Sequence, residues 1–217
     1  MARNIIDKIK FQISTKLLGK EFSSQKYWEL RYSNAGDSGI GSYGKMAEDK
    51  AKFINLLIDK YSLESCLEYG SGDGHNLQFY NFKKYLGVDV SKTAIDLCLK
   101  QYGADKTKAF ALYDQNYFHH MNQFLEVDVT LSSEVLFHLV EQSVYDKYLD
   151  NLFSTAKKGV IIISTDSNDN EGIPPHIHHR QFSKDVSSKF PQFKREELNL
   201  GAEYDEYKNY FHYYSRN

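Results

Sequence analysis

Seven consecutive residues, Glu68-Tyr69-Gly70-Ser71-Gly72-Asp73-Gly74, carry the chemistry most readily read from this chain. Glycines at alternate positions let a backbone turn tightly and bring its amides close to a ligand. A dinucleotide-binding turn would read G-x-G-x-x-G, but here the third glycine comes one residue early and His75 stands in its expected place. An acidic residue two positions before the first glycine would face like charge on a pyrophosphate; it suits a cationic ligand. Two more carboxylates follow. Asp89 closes Gly87-Val88-Asp89, where a carboxylate can accept from both hydroxyls of a ribose, and Asp114 follows Tyr113, where one can accept from the exocyclic amine of adenine.

Three carboxylates gather round one turn only if each closes a neighbouring strand of a parallel sheet, at its carboxyl edge. From Ser65 onward the chain reads that way. SCLEYG, YLGVDV, KAFALYD, EVDVTLSS and GVIIIST have strand character, while HNLQFYNF, KTAIDLCLKQY and EQSVYDKYLDNLFSTA read as helices. The alternation predicts an α/β fold, a mostly parallel sheet with helices on both faces, because the crossovers supply the cover. A short helix from Phe182 to Phe190 then leads to REELNL and KNYFHYYS, a hairpin-like pair that would end the sheet in an antiparallel strand. Ahead of the core, Gln25 to Tyr32 reads as helix and Glu48 to Lys60 as an amphipathic helix. Between them NAGDSGIGSYG, with Gly36, Gly39, Gly41 and Gly44, is denied regular structure and serves as a linker or a lid. Asn4 to Leu18 forms a further amphipathic helix, and Arg3 and four lysines against Asp7 give the first twenty residues a net +4. That helix suits docking on the domain or a second subunit, or a peripheral contact with a membrane carrying a lipid-linked substrate.

Composition narrows the function classes. The chain has 217 residues, enough for one sizeable core, and 27 Lys+Arg against 29 Asp+Glu give a formal charge of -2, with no global attraction to nucleic acid or anionic lipid. Cys66 and Cys98 both lie in apolar segments, which argues for a reducing compartment, the cytoplasm. Apolar runs such as Val160 to Ile163 are far short of the ~20 residues a membrane span needs, and the N-terminus does not read as a signal peptide. Seventeen Tyr and 14 Phe suit half-buried strands, or a sugar- or ring-binding surface.

The glycine turn with its three strand-end acids resembles the class I S-adenosylmethionine-dependent methyltransferases, over roughly Tyr27 to Tyr214. The resemblance implies a Rossmann-like seven-stranded sheet with one antiparallel strand, in a core of residues 61–217 preceded by N-terminal helices and a glycine-rich lid over 1–60. It also implies S-adenosylmethionine as methyl donor and S-adenosylhomocysteine as product. Gly70, Gly72 and Gly74 would wrap the methionyl part, with Glu68 organising the loop. Asp89 and Val90 would hold the ribose side, Asp114 and Gln115 the adenine, and Ser133 would complete the site. A narrower likeness, in YWELRY, the GSYG loop, LSSEVLFHLVE and PPHIHHRQF, is to a bacterial and viral branch associated with surface-polysaccharide modification. In such enzymes an N-terminal helix and loop fold over the cofactor, so Trp28, Arg31 and Ser42 would close the site, Arg31 on the methionyl carboxylate or in a surface ion pair.

Histidines supply the candidates for proton transfer. His138, after the fourth strand, could take a hydroxyl proton as the oxygen attacks the methyl, or could contact the cofactor. The metal-dependent quinone-biosynthesis O-methyltransferases place E-x-x-E-H here; this chain has Glu134 and His138 but Phe137 for the second carboxylate, so no metal is assigned. His176, His178, His179 and Arg180, in the loop opened by Pro174-Pro175, would bind the acceptor, with His176 or His178 as rival base. His119-His120 receives no role. The expected reaction is methyl transfer to a hydroxyl oxygen of a sugar in a surface glycan or its precursor, by a monomer or homodimer. The alternatives are a small-metabolite N- or O-acceptor and a catalytically silent cofactor-binding subunit. No N-P-P-Y-like step follows the fourth strand, where Leu131-Ser132-Ser133-Glu134 stands, and no basic tract favours nucleic acid.

Overall fold

The computed structural model describes residues 22–118, 124–198 and 206–217. The expected helix over Asn4 to Leu18 and the pair His119-His120 lie outside the described residues. Seven strands form one sheet in the order β3-β2-β1-β4-β5-β7-β6. They are β1 (Ser65–Tyr69), β2 (Lys84–Asp89), β3 (Lys108–Leu112), β4 (Val127–Ser133), β5 (Ala156–Ile163), β6 (Phe193–Arg195) and β7 (Phe211–Arg216). β1 to β5 run parallel, and β7 lies antiparallel between β5 and β6. The helices are α1 (Ser24–Ser33), α2 (Gly44–Tyr61), α3 (Lys92–Tyr102), α4 (Gln115–Phe118), α5 (Gln142–Ser154) and α6 (Phe182–Lys189). This is the mixed, Rossmann-like sheet expected.

Alternation of side chains builds a core on each face of the sheet. In β5, Val160 and Ile162 turn to one face, with Tyr145, Leu149 and Phe153 of α5 and Val186 of α6; Ile161 and Ile163 turn to the other, with Phe53, Ile54 and Leu57 of α2. An unbroken apolar run, here Val160–Ile163, is the mark of a sheet covered on both sides. Among the described residues no helix is long and apolar enough to cross a membrane.

Two segments depart from the expectation. HNLQFYNF forms only a 3-10 turn, His75–Phe79, and is extended from Tyr80. Its entry residue Gly74 is left-handed and offers no side-chain cap, and Asn55 of α2 binds the Phe79 carbonyl (2.8 Å) and the Asn81 amide (3.0 Å), taking backbone groups a helix would need. Of REELNL only Arg195 lies in a strand among the described residues; pairing starts earlier, at Phe193, whose ring is buried against Phe153, and stops at Arg195. The glycine-rich loop also holds a 3-10 turn at Ile40–Ser42, and α2 begins at Gly44, four residues before its apolar stripe predicts.

α1 lies across the carboxyl edge of the sheet and is tied down at both ends. Ser24 donates its amide (2.9 Å) and its hydroxyl to Glu141, ahead of α5. Glu29 accepts from Ser91 Oγ (2.7 Å), Thr93 Oγ1 (2.6 Å) and the Thr93 amide (3.2 Å), so a carboxylate sits at the amino end of α3, where the helix dipole favours it. Glu29→Ala removes these bonds at a cost of roughly 1–3 kcal/mol, enough for amide exchange in Ser24–Ser33 to quicken about ten- to hundred-fold while β1, β4 and β5 keep their protection. Unchanged exchange in α1 would show that Glu29 does not hold it.

Candidate functional site

A cavity of about 530 Å³ opens at the carboxyl ends of β1, β2 and β4, under α1 and the loop that follows it. Parallel α/β sheets bind ligands at this edge, and the volume suits a ligand of nucleoside size. Its floor is the glycine turn. Gly70, Gly72 and Gly74 have φ of 85°, 57° and 76°, and the amides of Gly70 and Ser71 both donate to the Val88 carbonyl (2.7 and 3.1 Å). At Gly72 a Cβ would strike Ser38 Oγ and lie 2.8 Å from the Tyr32 hydroxyl, so only glycine lets loop and turn close on each other. Gly74 does not line the cavity, as the resemblance would have it; it seats the turn against Cys98 and Tyr102 of α3.

Asp89 and Glu68 both line the cavity and are almost fully buried. Asp89 accepts from the amides of Gly72 (2.9 Å) and Ser91 (2.8 Å), tying the turn after β1 to the start of α3. Burial pushes its carboxyl up to about 6 against the pull of those two amides. Glu68 accepts from the Tyr85 hydroxyl, and burial pushes it up to about 7. Asp114, Gln115, Val90 and Ser133 also line the cavity. Gln115 Oε1, like Asn76 Oδ1 across the cavity wall, is buried without a hydrogen-bond partner among the described residues. Asp73 fastens the lid, accepting from the Ser38 amide (3.2 Å) and the Tyr43 hydroxyl (2.9 Å).

His138 lies on the cavity wall beside Trp28, ring centres 4.8 Å apart, edge to face. Its Nδ1 is 3.2 Å from the His176 carbonyl. A carbonyl only accepts, so Nδ1 carries the proton and Nε2 keeps the lone pair of a neutral imidazole. Burial pulls His138 down to about 4, helping to keep it neutral.

The histidine loop borders the cavity through Ile177 alone. His176, His178, His179 and Arg180 are not among the residues lining the cavity; Ile177 is. His176 stacks on Tyr27 at 4.8 Å, the His178 amide binds the Phe137 carbonyl (2.7 Å), and His179 Nδ1 meets Thr165 Oγ1 (2.6 Å). Arg180 donates to the carbonyls of Leu139 (2.7 Å) and Val140 (3.0 Å) and lies over the Tyr145 ring. The loop is a buttress for the segment after β4. Arg31 lines the cavity, and its guanidinium donates to Asp37, through the carbonyl (2.6 Å) and the carboxylate (3.0 Å). Trp28 and Ser42 line the cavity as expected.

One group on the wall was visible in sequence only as half of a metal pattern. Glu134 pairs with Lys50 of α2 (2.7 Å) and accepts from the Tyr210 hydroxyl (2.7 Å). Partners 84 and 76 residues away leave no local pattern to find.

A family model described as "Methyltransferase domain" matches residues 60–214. No curated protein matches the chain. Among solved structures, the chain is similar to the N-methyltransferase NodS from Bradyrhizobium japonicum WM9, in complex with S-adenosyl-L-homocysteine. The TM-score is 0.66 at 14% identity, covering 90% of this chain and 99% of that one. A SAM-dependent methyltransferase from Anabaena variabilis gives 0.59 at 15% identity, covering 90% and 94%. An O-methyltransferase family protein from Burkholderia thailandensis gives 0.58 at 9% identity, covering 80% and 56%. At these identities the likeness is one of fold.

The buried acids give the ligand-free protein a pH signature. Glu68 is raised from 4.5 to about 7 in the fold, so its contribution to stability is full below pH 4.5 and is lost as pH rises through 7. Glu68→Gln stays neutral throughout. Thermal unfolding should therefore show the variant gaining on the wild type between pH 5 and 8, and a difference independent of pH would contradict the assignment.

Proposed function

This chain belongs to the methyltransferase-domain family and is an S-adenosylmethionine-dependent methyltransferase; from that premise we propose that it methylates a hydroxyl oxygen, that of a sugar in a surface glycan or glycan precursor. The observation that carries the reading is the neutral imidazole of His138 on the cavity wall, its Nε2 lone pair unprotonated. A hydroxyl must shed its proton as its oxygen is alkylated, and a neutral imidazole within reach can accept it. Trp28 beside it offers an indole face on which the apolar side of a sugar ring can rest.

The cavity fits the cofactor on its own terms. Orphaned acceptors at Gln115 and Asn76 call for ligand donors, and buried carboxylates at Asp89 and Glu68, each raised by burial, call for a ligand that is cationic or rich in donors. Asp89 would hold the ribose hydroxyls, Asp114 and Gln115 the adenine, and the glycine turn with Glu68 the amino-acid end. When bound, S-adenosylmethionine supplies an electrophilic methyl on a sulfonium and leaves as S-adenosylhomocysteine. The protein's own share is alignment and exclusion of water: α1 and the loop to Tyr43 roof the cavity, while α2 packs against the sheet as part of the core. Both cysteines are buried and free, in keeping with a reducing, cytoplasmic setting.

Asp89→Ala should weaken S-adenosylhomocysteine binding by about 1.5–3 kcal/mol, ten- to hundred-fold by calorimetry. Unchanged affinity would remove Asp89 from the cofactor site. His138→Ala should lower turnover roughly 10²- to 10⁴-fold while leaving that affinity intact. Because burial lowers His138 to about 4, its acid limb in kcat/KM should fall near pH 4 rather than at the ordinary imidazole value. A limb near 6.5 that survives in His138→Ala would place the base elsewhere.

A further inference from the structure

Glu134 is the first residue past β4 and stands with φ +60, in the left-handed region that a non-glycine residue adopts only under constraint. The constraint is visible. Its amide donates to the Ile163 carbonyl (2.7 Å), one carboxylate oxygen meets Lys50 Nζ (2.7 Å) and the other accepts from Tyr210 (2.7 Å). The Lys50 side chain is 1% exposed and that of Glu134 18%, the latter on the cavity wall.

Two close approaches fix where this carboxylate sits. A Cβ at Gly41, in the lid, would fall on the oxygens of Glu134, so the loop can lie over the carboxylate only because it carries no side chain there. The next residue, Val135, comes within 2.5 Å of a Cβ placed at Gly70, the first glycine of the turn. Glu134 therefore stands between the turn and the lid, near His138, whose titration it influences.

We infer that Glu134 is a specificity-determining residue that touches the methyl acceptor, admitting acceptors that present an O–H or N–H donor and rejecting those that present an anion. This rests on the methyltransferase reading above and names the acceptor's chemical class. A carboxylate has about four acceptor positions, of which Lys50 and Tyr210 occupy two. An acceptor donor fills a vacant one; an anion finds none that it can use. Lys50 offsets part of that charge from behind, but it is buried and does not line the cavity, so the group an acceptor meets is the carboxylate itself. Five more carboxyl groups line the same cavity, Asp73, Asp114 and Glu141, with Glu68 and Asp89 pushed up by burial to about 7 and about 6, whereas the one Lys or Arg among its lining residues is Arg31, bound to Asp37. Charge in a confined, poorly solvated space repels strongly.

The test uses three 4-nitrophenyl glycosides that differ in charge, the glucoside, the glucosaminide and the glucuronide, titrated by calorimetry into the full chain saturated with S-adenosylhomocysteine. The wild type should bind the glucoside and glucosaminide and bind the glucuronide at least tenfold more weakly. Glu134→Gln should reduce that discrimination at least fivefold while S-adenosylhomocysteine affinity stays within twofold, a split that a merely structural role would not produce. Glucuronide binding within twofold of the glucoside overturns the proposal in the wild type alone, even if the variant fails to fold. So does undiminished discrimination in the variant, or no binding of either the glucoside or the glucosaminide. Failure to bind S-adenosylhomocysteine, measured first, would instead strike the methyltransferase reading.

Discussion

The Asp89 carboxylate is buried with two backbone amides, Gly72 and Ser91, as its partners, and the geometry of the site follows from that arrangement. Those amides fix the turn after β1 against the start of α3, and α3 in turn presents the Ser91 and Thr93 donors that hold Glu29 and with it α1. A carboxylate so placed is costly while nothing else satisfies it, as its raised titration records. The same cost gives a ligand rich in donors something to relieve. Floor and roof of the cavity are thus linked through one strand end.

The lid closes over this floor by hydrogen bonds rather than by apolar packing. Tyr32 and Ser38 (3.0 Å), Ser38 and Asp73, and Tyr43 and Asp73 stitch loop to turn, while Ile40 at its tip is 96% exposed. Contacts of that kind exchange readily with water, which suits a cover that must admit a cofactor and release its product. The opposite wall is stiffer: Arg180 and the histidine loop brace the segment carrying His138, and the buried Lys50 braces Glu134. In the proposed reading, these braced groups are the ones that would meet the acceptor.

Local pattern carried the sequence reading where structure is decided locally. KTAIDLCLKQY is helical over Lys92–Tyr102 because Ser91 caps it and its apolar positions repeat with helical period, and the apolar run Val160–Ile163 of β5 announced a strand covered on both faces. The strand-end acids were legible because the glycine turn marks the first strand and alternation counts off the others. HNLQFYNF failed because a distant side chain, Asn55, claims its backbone. The contacts of the histidine loop were not legible, because the carbonyls that Arg180 binds are brought to it only when the chain is folded. Glu134 lay beyond reach for the same reason: its meaning comes from Lys50, Tyr210 and Gly41, none of them near in sequence.

The central claim is that the strand-end carboxylates and the glycine turn together form the cofactor site, with the reacting side toward β4. A crystal structure of the protein with S-adenosylhomocysteine tests it most directly. The account predicts both ribose hydroxyls within hydrogen-bond distance of Asp89, the adenine beside Asp114 and Gln115, and the sulfur directed toward the wall formed by Glu134 and His138. A ligand that left Asp89 without a ribose contact, or that bound outside this cavity, would contradict it.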